Sequence, residues 1–258
     1  MIECPLCKSR RIYKSWEDGN YKIYKCTNCY VKFLYPIVKV ENLYDSSYFQ
    51  KWYIEFYQER KKYFKKILKK IKKLIPSKGK ILDVGCGIGI LLDLASEIGY
   101  EVYGQDISDF AIEFCSQKGF KVFKGNLLNL NFEIKFDIIT MMDVIAHIKE
   151  PVNYLQKCKK LLEKDGILII KTPLHSNYLF FIAKLFSFTK KSKSILHLPV
   201  QIYHFDKNSI SKLAYFSGFK ILKILTIKEF TGKKFNLLNL WKFFVEKSII
   251  VILKKYNE

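Results

Sequence analysis

Lys80-Ile81-Leu82-Asp83-Val84-Gly85-Cys86-Gly87-Ile88-Gly89 is the stretch on which the fold turns. Ile81 to Val84 read as the end of a buried strand, and Ile90, Leu91, Leu92 and Leu94 open an apolar helical pattern. Between them, three glycines at alternate positions turn the backbone. Lacking a Cβ, such positions let the main chain approach a ligand closely, and the N-terminus of the following helix favours a carboxylate or phosphate. The spacing is G-x-G-x-G, which differs from the G-x-G-x-x-G of dinucleotide folds.

Outward from this turn, strands are expected at 80–84, 101–105, 120–124, 136–141 and 166–172, with helical segments between most of them. Alternation of this kind predicts an α/β fold with a doubly wound, mostly parallel sheet. Phe219 to Ile227 and Ser248 to Leu253 read as two final strands, for seven in all, around a helix over 235–245. Residues 235–255 also fit a single helix. Asp206 to Phe216 reads as a helix closed by Gly218. Upstream, Phe49, Trp52, Tyr53, Phe56, Tyr63, Phe64, Ile67, Leu68, Ile71, Leu74 and Ile75 recur at three- and four-residue steps. They predict an amphipathic helix from Tyr48 to Ile75, broken at most once, whose apolar stripe packs on the core.

Residues 1–36 read as a module of their own. Cys4-Pro5-Leu6-Cys7 and Cys26-Thr27-Asn28-Cys29 are two C-x2-C pairs 18 residues apart, the spacing of a tetrathiolate zinc site. The pieces between them can form a hairpin. About 36 residues cannot build a core alone, so a structural zinc ion held by Cys4, Cys7, Cys26 and Cys29 would supply the folding energy. The expected organisation is a zinc ribbon at 1–36, a helical lead-in at 37–78, and the main domain at 79–258 with an apolar lid segment at 174–205.

The net charge of +21 is uneven. Residues 81–173 carry 10 basic and 13 acidic groups, so the whole basic excess lies in the flanks. A mildly acidic core suits a cationic ligand, whereas basic flanks suit membrane headgroups or RNA phosphates, or simply solvate helix faces. With 49% hydrophobic residues and no low-complexity tract, disorder is not expected. The start Met-Ile-Glu-Cys-Pro lacks signal-peptide character, and no uninterrupted run of about 18 apolar residues occurs. A cytoplasmic protein with reduced cysteines is expected. Tyr178 to Phe188, followed by Lys190, Lys191 and Lys193, reads as a buried lid helix or as an interfacial helix on lipid.

With Asp83 before it, the glycine turn resembles motif I of class I S-adenosylmethionine (SAM) dependent methyltransferases. Tyr103-Gly104-Gln105-Asp106-Ile107-Ser108 supplies an acid at the end of the second strand, placed to accept both ribose hydroxyls. Lys135 to Asp143 resembles motif IV, and Leu162-Glu163-Lys164-Asp165-Gly166 resembles the turn before strand five. The resemblance implies a Rossmann-like fold and SAM as cofactor, held by Asp83, Gly85, Cys86, Gly87, Gly89, Asp106, Ile107, Asn126, Leu127, Met142 and Tyr48. At Asn126 the family commonly has Asp, accepting from the adenine amino group; a side-chain carbonyl can do the same.

The layout is also similar to small-molecule methyltransferases with an N-terminal zinc ribbon, from lipid, quinone and glycan biosynthesis. Leu43 to Phe49, His147-Ile148-Lys149-Glu150-Pro151, Thr172-Pro173 and Tyr203-His204-Phe205 carry this likeness. The core resembles ubiquinone-biosynthesis O-methyltransferases, which place two acids and a His around a divalent ion. Asp143 and His147 match two of those positions, and Ala146 occupies the third. Loss of an acceptor proton calls for a base, and the candidates are His147, then His204, then His175, with Asp143 beside them. The expected function is methyl transfer to a small-molecule acceptor, chiefly O-methylation of a lipid-, quinone- or sugar-type intermediate. Two other readings stand: an RNA methyltransferase using the ribbon and basic flanks, and a non-enzymatic zinc-ribbon binding module on a degenerate fold. No Asn/Asp-Pro-Pro-Tyr/Phe motif for base amino groups follows the fourth strand, which counts against RNA.

Overall fold

The computed structural model of the chain describes residues 2–38, 45–185, 193, 195–228 and 247–256. Leu43, Tyr44, residues 186–192 with Lys190 and Lys191, the helix expected at 235–245 and the side chain of Trp52 lie outside the described residues.

Three strands make up the ribbon: β1 (Ile12–Asp18), β2 (Tyr21–Cys26) and β3 (Lys32–Leu34). β1 and β2 form the hairpin read from the sequence, turning at Gly19 with φ +59°. The ribbon is not self-contained, however. β3 pairs with a two-residue strand, Tyr203–His204, from the far side of the chain. Tyr203 and Phe205 are fully buried in the apolar cluster that also holds Cys4, Cys26, Cys29 and Phe33. The correction has a physical reason: so short a segment fills its core by borrowing a strand and two aromatic rings.

In the lead-in, Asp45 caps α1 (Ser46–Phe49), its carboxylate accepting from the Tyr48 amide at 2.9 Å. A π-helical turn, Gln50–Ile54, follows, and the chain breaks at Glu55-Phe56 before α2 (Tyr57–Ile71). Phe64, Ile67 and Ile71 are buried with Ile81, Leu91 and Leu94, while Lys65, Lys66, Lys69 and Lys70 face solvent. That stripe is core packing.

The main sheet takes β4 (Lys80–Val84), β5 (Glu101–Asp106), β6 (Lys121–Lys124), β7 (Phe136–Met142), β8 (Leu162–Pro173), β10 (Phe219–Lys228) and β11 (Lys247–Lys255). The order is β10-β11-β8-β7-β4-β5-β6; Tyr203–His204 is β9, of the ribbon sheet. β11 is antiparallel to both neighbours, and the pairs from β8 to β6 are parallel. The seven-stranded, doubly wound expectation therefore holds, and residues 247–255 are a strand, not the end of a helix. β8 starts four residues earlier than expected. A register shift between Phe136 and Ile138 lets Leu162 pair with Phe136, drawing the expected turn into the strand.

The helices are α3 (Ile90–Glu97), α4 (Asp109–Gln117), α5 (Pro151–Leu161), α6 (Asn177–Leu185) and α7 (Lys207–Phe216). α6 lays Leu179, Phe180 and Ala183 against Trp16 and Ile23 of the ribbon hairpin. Its other side leaves Tyr178, Phe181 and Leu185 exposed. No helix among the described residues is long and apolar enough to cross a membrane.

Candidate active site and metal centre

β4 and β7 are neighbours in the sheet, but the chain leaves them in opposite directions, to β5 on one side and β8 on the other. Open α/β sheets place ligands at the carboxyl ends of strands beside such a switch. The glycine turn sits there. Gly85 has φ +73°, and a Cβ on it would lie 2.4 Å from Val144 Cγ2. Gly87 has φ +52°, and a Cβ on it would reach to 3.4 Å from the Phe49 ring. Only glycine leaves this cradle open.

Two carboxylates flank the turn. Asp106, at the end of β5, accepts from the Gly87 amide at 2.9 Å through Oδ2 and from the Ser108 amide at 3.0 Å through Oδ1. A carboxylate offers about four acceptor positions, so roughly two remain for a ligand. Asp83, in β4, is buried and its Oδ1 accepts from the Thr140 hydroxyl of β7 at 2.5 Å. Burial pushes Asp83 up to about 7, with the Thr140 bond working against the rise and Asp106 adding to it. Burial likewise raises Asp106. Two desolvated acids side by side favour a cationic ligand, which would compensate both.

The turn's own amides are used within the chain. Gly85 and Cys86 both donate to Gln105 O, Gly87 donates to Asp106, and Gly89 donates to Cys86 O. The first three brace the loop onto β5, and the Gly89 bond closes the turn on itself. Amides for an anionic end are offered instead by the first turn of α3, where the N-cap Gly89 has no side chain to satisfy them.

Around the turn, Tyr48, Phe49 and Tyr53 form a ring cluster with centroids 5.3 to 5.8 Å apart, and Phe49 stacks on Phe110 at 5.5 Å. The first part of the lead-in thus borders the site. Ile107 is exposed beyond Asp106, while Leu127 and Met142 are buried. Asn126 is engaged within the chain. Its carbonyl caps the turn Leu127–Asn129 by accepting from the Leu128 amide at 2.9 Å, and it also accepts from the Tyr154 hydroxyl at 2.7 Å. Both lone pairs are used within the chain, so an adenine contact at this carbonyl would have to take the place of the Tyr154 bond.

After β7 the chain places Asp143 at φ +63°, and its carboxylate takes the Lys171 ammonium at 2.6 and 2.8 Å. Lys171 is 1% exposed on β8, with its ammonium 5.5 Å from the Tyr63 ring centroid; the Asp143 side chain is 29% exposed. A lysine on a buried strand needs such a partner. With Asp143 paired in this way and Ala146 buried beside His147, the divalent-ion arrangement suggested by resemblance is not assembled.

His147 lies on a short 3-10 turn at the carboxyl edge of β7, and its Nδ1 is 2.9 Å from Val200 O. A carbonyl only accepts, so Nδ1 carries the proton and Nε2 keeps its lone pair. Burial lowers His147, with Val200 O and Asp143 drawing it partly back. His175 and His204 are placed elsewhere, fully buried at the ribbon–α6 junction with rings 4.6 Å apart. His204 is pushed down to about 3 by burial, so without an anion beside it the ring is neutral near pH 7. Of the three histidines, His147 is the one on the turn that follows β7.

The metal centre is built from the two knuckles. All four cysteine Sγ atoms lie within 4.8 Å of one another, Cys4 and Cys29 at 3.4 Å and Cys7 and Cys26 at 3.6 Å. A tetrahedral zinc with bonds of about 2.3 Å requires sulfur separations of roughly 3.8 Å. The four thiols fit zinc.

Lys171, Thr140 and the Asn126–Tyr154 bond were missed by sequence reasoning. Lys171 and Thr140 each left a signal: one polar residue inside an apolar strand, Ile167 to Ile170 before Lys171, and Ile138-Ile139 before Thr140.

Comparison with known proteins bears on this geometry. A family model described as a methyltransferase domain matches residues 53–224. The ubiquinone biosynthesis O-methyltransferase of Actinobacillus pleuropneumoniae serotype 7 is 35% identical over 106 residues, which cover 36% of this chain and 45% of that protein. The chain therefore spans less than half the length of that relative. The enzyme of the same name from Pelagibacter ubique is 27% identical over 186 residues, covering 68% of this chain and 73% of the relative. Among solved structures, magnesium protoporphyrin IX methyltransferase from Synechocystis PCC 6803, with bound SAH, aligns with TM-score 0.61 and 18% identity. That alignment covers 83% of this chain and 97% of the other. A SAM-dependent methyltransferase from Methanosarcina mazei aligns with TM-score 0.58 and 20% identity, over 73% and 97%. These structures share the fold.

Proposed function

The chain belongs to the methyltransferase-domain family, and from that premise we propose that it performs SAM-dependent O-methylation of a small quinone-precursor acceptor. The observation that carries this reading is the pair of buried carboxylates, Asp83 and Asp106, on either side of an open glycine cradle at the switch point. When bound there, SAM supplies a sulfonium-activated methyl group. Asp106 would accept from the ribose hydroxyls, Asp83 would face the ammonium, and the first turn of α3 would face the carboxylate. Methyl transfer depends mainly on alignment. The proton of an acceptor hydroxyl still has to leave, and His147 Nε2 would take it, held in orientation by Val200 O. The acceptor assignment rests on the quinone-pathway relatives named above.

Incubating the protein with methyl-labelled SAM and separated lipid, small-molecule and RNA fractions of its host tests the reading. Label is expected in a hydroxylated quinone-type compound of the lipid or small-molecule fraction. Label confined to RNA overturns it, and failure to bind SAM or SAH at all restores the non-enzymatic alternative.

The exposed face of α6 supports a second, narrower reading, that the acceptor is met at an anionic lipid surface. Tyr178, Phe181 and Leu185 are 60%, 58% and 61% exposed at steps of three and four, one helix face, on a chain of net charge +21. Flotation with anionic vesicles at low salt should carry the protein upward, less so after Phe181→Ser. A protein that stays at the bottom of the gradient with such vesicles has no lipid-facing role for α6.

A further inference from the structure

The pairing of β3 with β9 sets Lys32 opposite His204, bringing a ribbon cation to the edge of the main domain. Lys32 is 3% exposed. Its ammonium donates to the Asn177 side-chain carbonyl at 3.1 Å and sits 4.5 Å from the centroid of the Phe180 ring. Among the described residues no carboxylate forms an ion pair with it. The nearby acid, Asp206, is engaged as the N-cap of α7, its Oδ1 accepting from the Ser209 amide and hydroxyl. A buried cation with only a neutral amide and an aromatic face is poorly compensated.

Beside it lie two histidines with unused capacity. His204 Nε2 is 2.9 Å from Leu196 O, which fixes its proton there and leaves Nδ1 as a lone pair. His204 Nδ1 and both ring nitrogens of His175 are buried with no hydrogen-bond partner. The Pro173 carbonyl is near enough to favour a proton on His175 but makes no bond of good geometry. His197 comes within 6.2 Å of His175, centroid to centroid, and Phe180 covers His204 at 5.6 Å. Buried polar atoms are nearly always satisfied, so several unsatisfied ones around one cation mark the place of a ligand.

The sign of that ligand follows from the donors. A metal cation would be repelled by Lys32, whereas an anion would take the ammonium and the His175 N–H, and would draw a proton onto His204 Nδ1. Position follows from the sheet. His175 leaves the carboxyl end of β8, the neighbour of β7, and the segment holding His197 also supplies the Val200 carbonyl that orients His147.

We propose that Lys32, His175 and His204 form a subsite for an anionic group on the acceptor, a carboxylate or a phosphate, closed between the zinc ribbon and the main sheet. The word acceptor rests on the methyltransferase reading; the anion site itself does not. It gives the ribbon a task beyond bracing, since the ribbon delivers the cation.

The test titrates inorganic phosphate and, separately, benzoate into the zinc-loaded full-length chain at pH 7 and low salt, following the histidine C2–H resonances. Saturable shifts of His175 and His204 at roughly millimolar anion are expected. Lys32→Met should weaken binding by about tenfold or more, while Lys32→Arg retains it. Zinc content and SAH affinity report that the Lys32→Met protein is folded. If neither anion shifts those two resonances in the wild type, or Lys32→Met binds as well as wild type, the subsite does not exist. Preference for phosphate or for benzoate assigns the acceptor's acidic group. Anion binding without methyl transfer would overturn the enzyme reading alone, and methyl transfer without anion binding would overturn this one alone.

Discussion

Asp106→Ala is expected to weaken SAH binding by about 10²- to 10⁴-fold, measured by calorimetry on zinc-loaded protein. Two charge-assisted hydrogen bonds to ribose hydroxyls are each worth about 1.5–3 kcal/mol, and a tenfold change in affinity is about 1.4 kcal/mol. The same substitution frees the Gly87 and Ser108 amides that Asp106 now holds. Some of the loss will therefore come from a looser glycine turn rather than from the ribose contact. Asp106→Asn separates the two contributions. Its carbonyl can still accept from one backbone amide, but its NH2 cannot accept from a hydroxyl, so an intermediate loss is expected. The thermal midpoint of each ligand-free variant shows how much the turn itself depends on this residue. A loss of affinity below about fivefold in Asp106→Ala would remove Asp106 from the binding site.

What the sequence made legible was local. The strand-turn-helix around Gly85 to Gly89 is written in consecutive residues, because a φ > 0 turn and an apolar helix start each depend on near neighbours. The four zinc ligands were readable for the same reason: each knuckle is four residues long. Partner choice was not readable. Lys32 meets His204 across 172 positions, and nothing in either segment names the other. Asp143 could be placed after β7 by its motif, yet its pairing with Lys171 depends on β7 and β8 being neighbours in register, with Met142 opposite Lys171. Asn126 is a similar case. The sequence shows an acceptor there, but not that a helical turn and the Tyr154 hydroxyl already bond to it. Residue types give chemical capability; only the fold shows which capability is already spent.

His147→Ala should lower kcat by about 10²- to 10⁴-fold, the usual worth of a positioned general base, with SAH affinity changed by less than about twofold. The separation is expected because His147 stands after β7, whereas Asp83, Asp106 and the glycine turn belong to β4 and β5. The pH dependence sharpens the test. Burial lowers His147 from the ordinary 6.5, against smaller upward pulls from Val200 O and Asp143. The imidazole is therefore neutral at pH 7, with Nε2 able to accept a proton. Protonation removes that capacity, so with SAM saturating, and Asp83 thereby paired with its ammonium, wild-type kcat/KM for the acceptor should be level near neutrality and fall as pH drops through the lowered value, below 6.5. Alanine carries no such group, and the slow residual reaction of His147→Ala should lack this acid limb. His204→Gln is the contrast. His204 is pushed to about 3 and turns its Nε2 to Leu196 O, so its loss should change acceptor KM and leave the limb in place. If His147→Ala retains both its rate within about threefold and the wild-type acid limb, the proton leaves by another route and His147 only holds Val200.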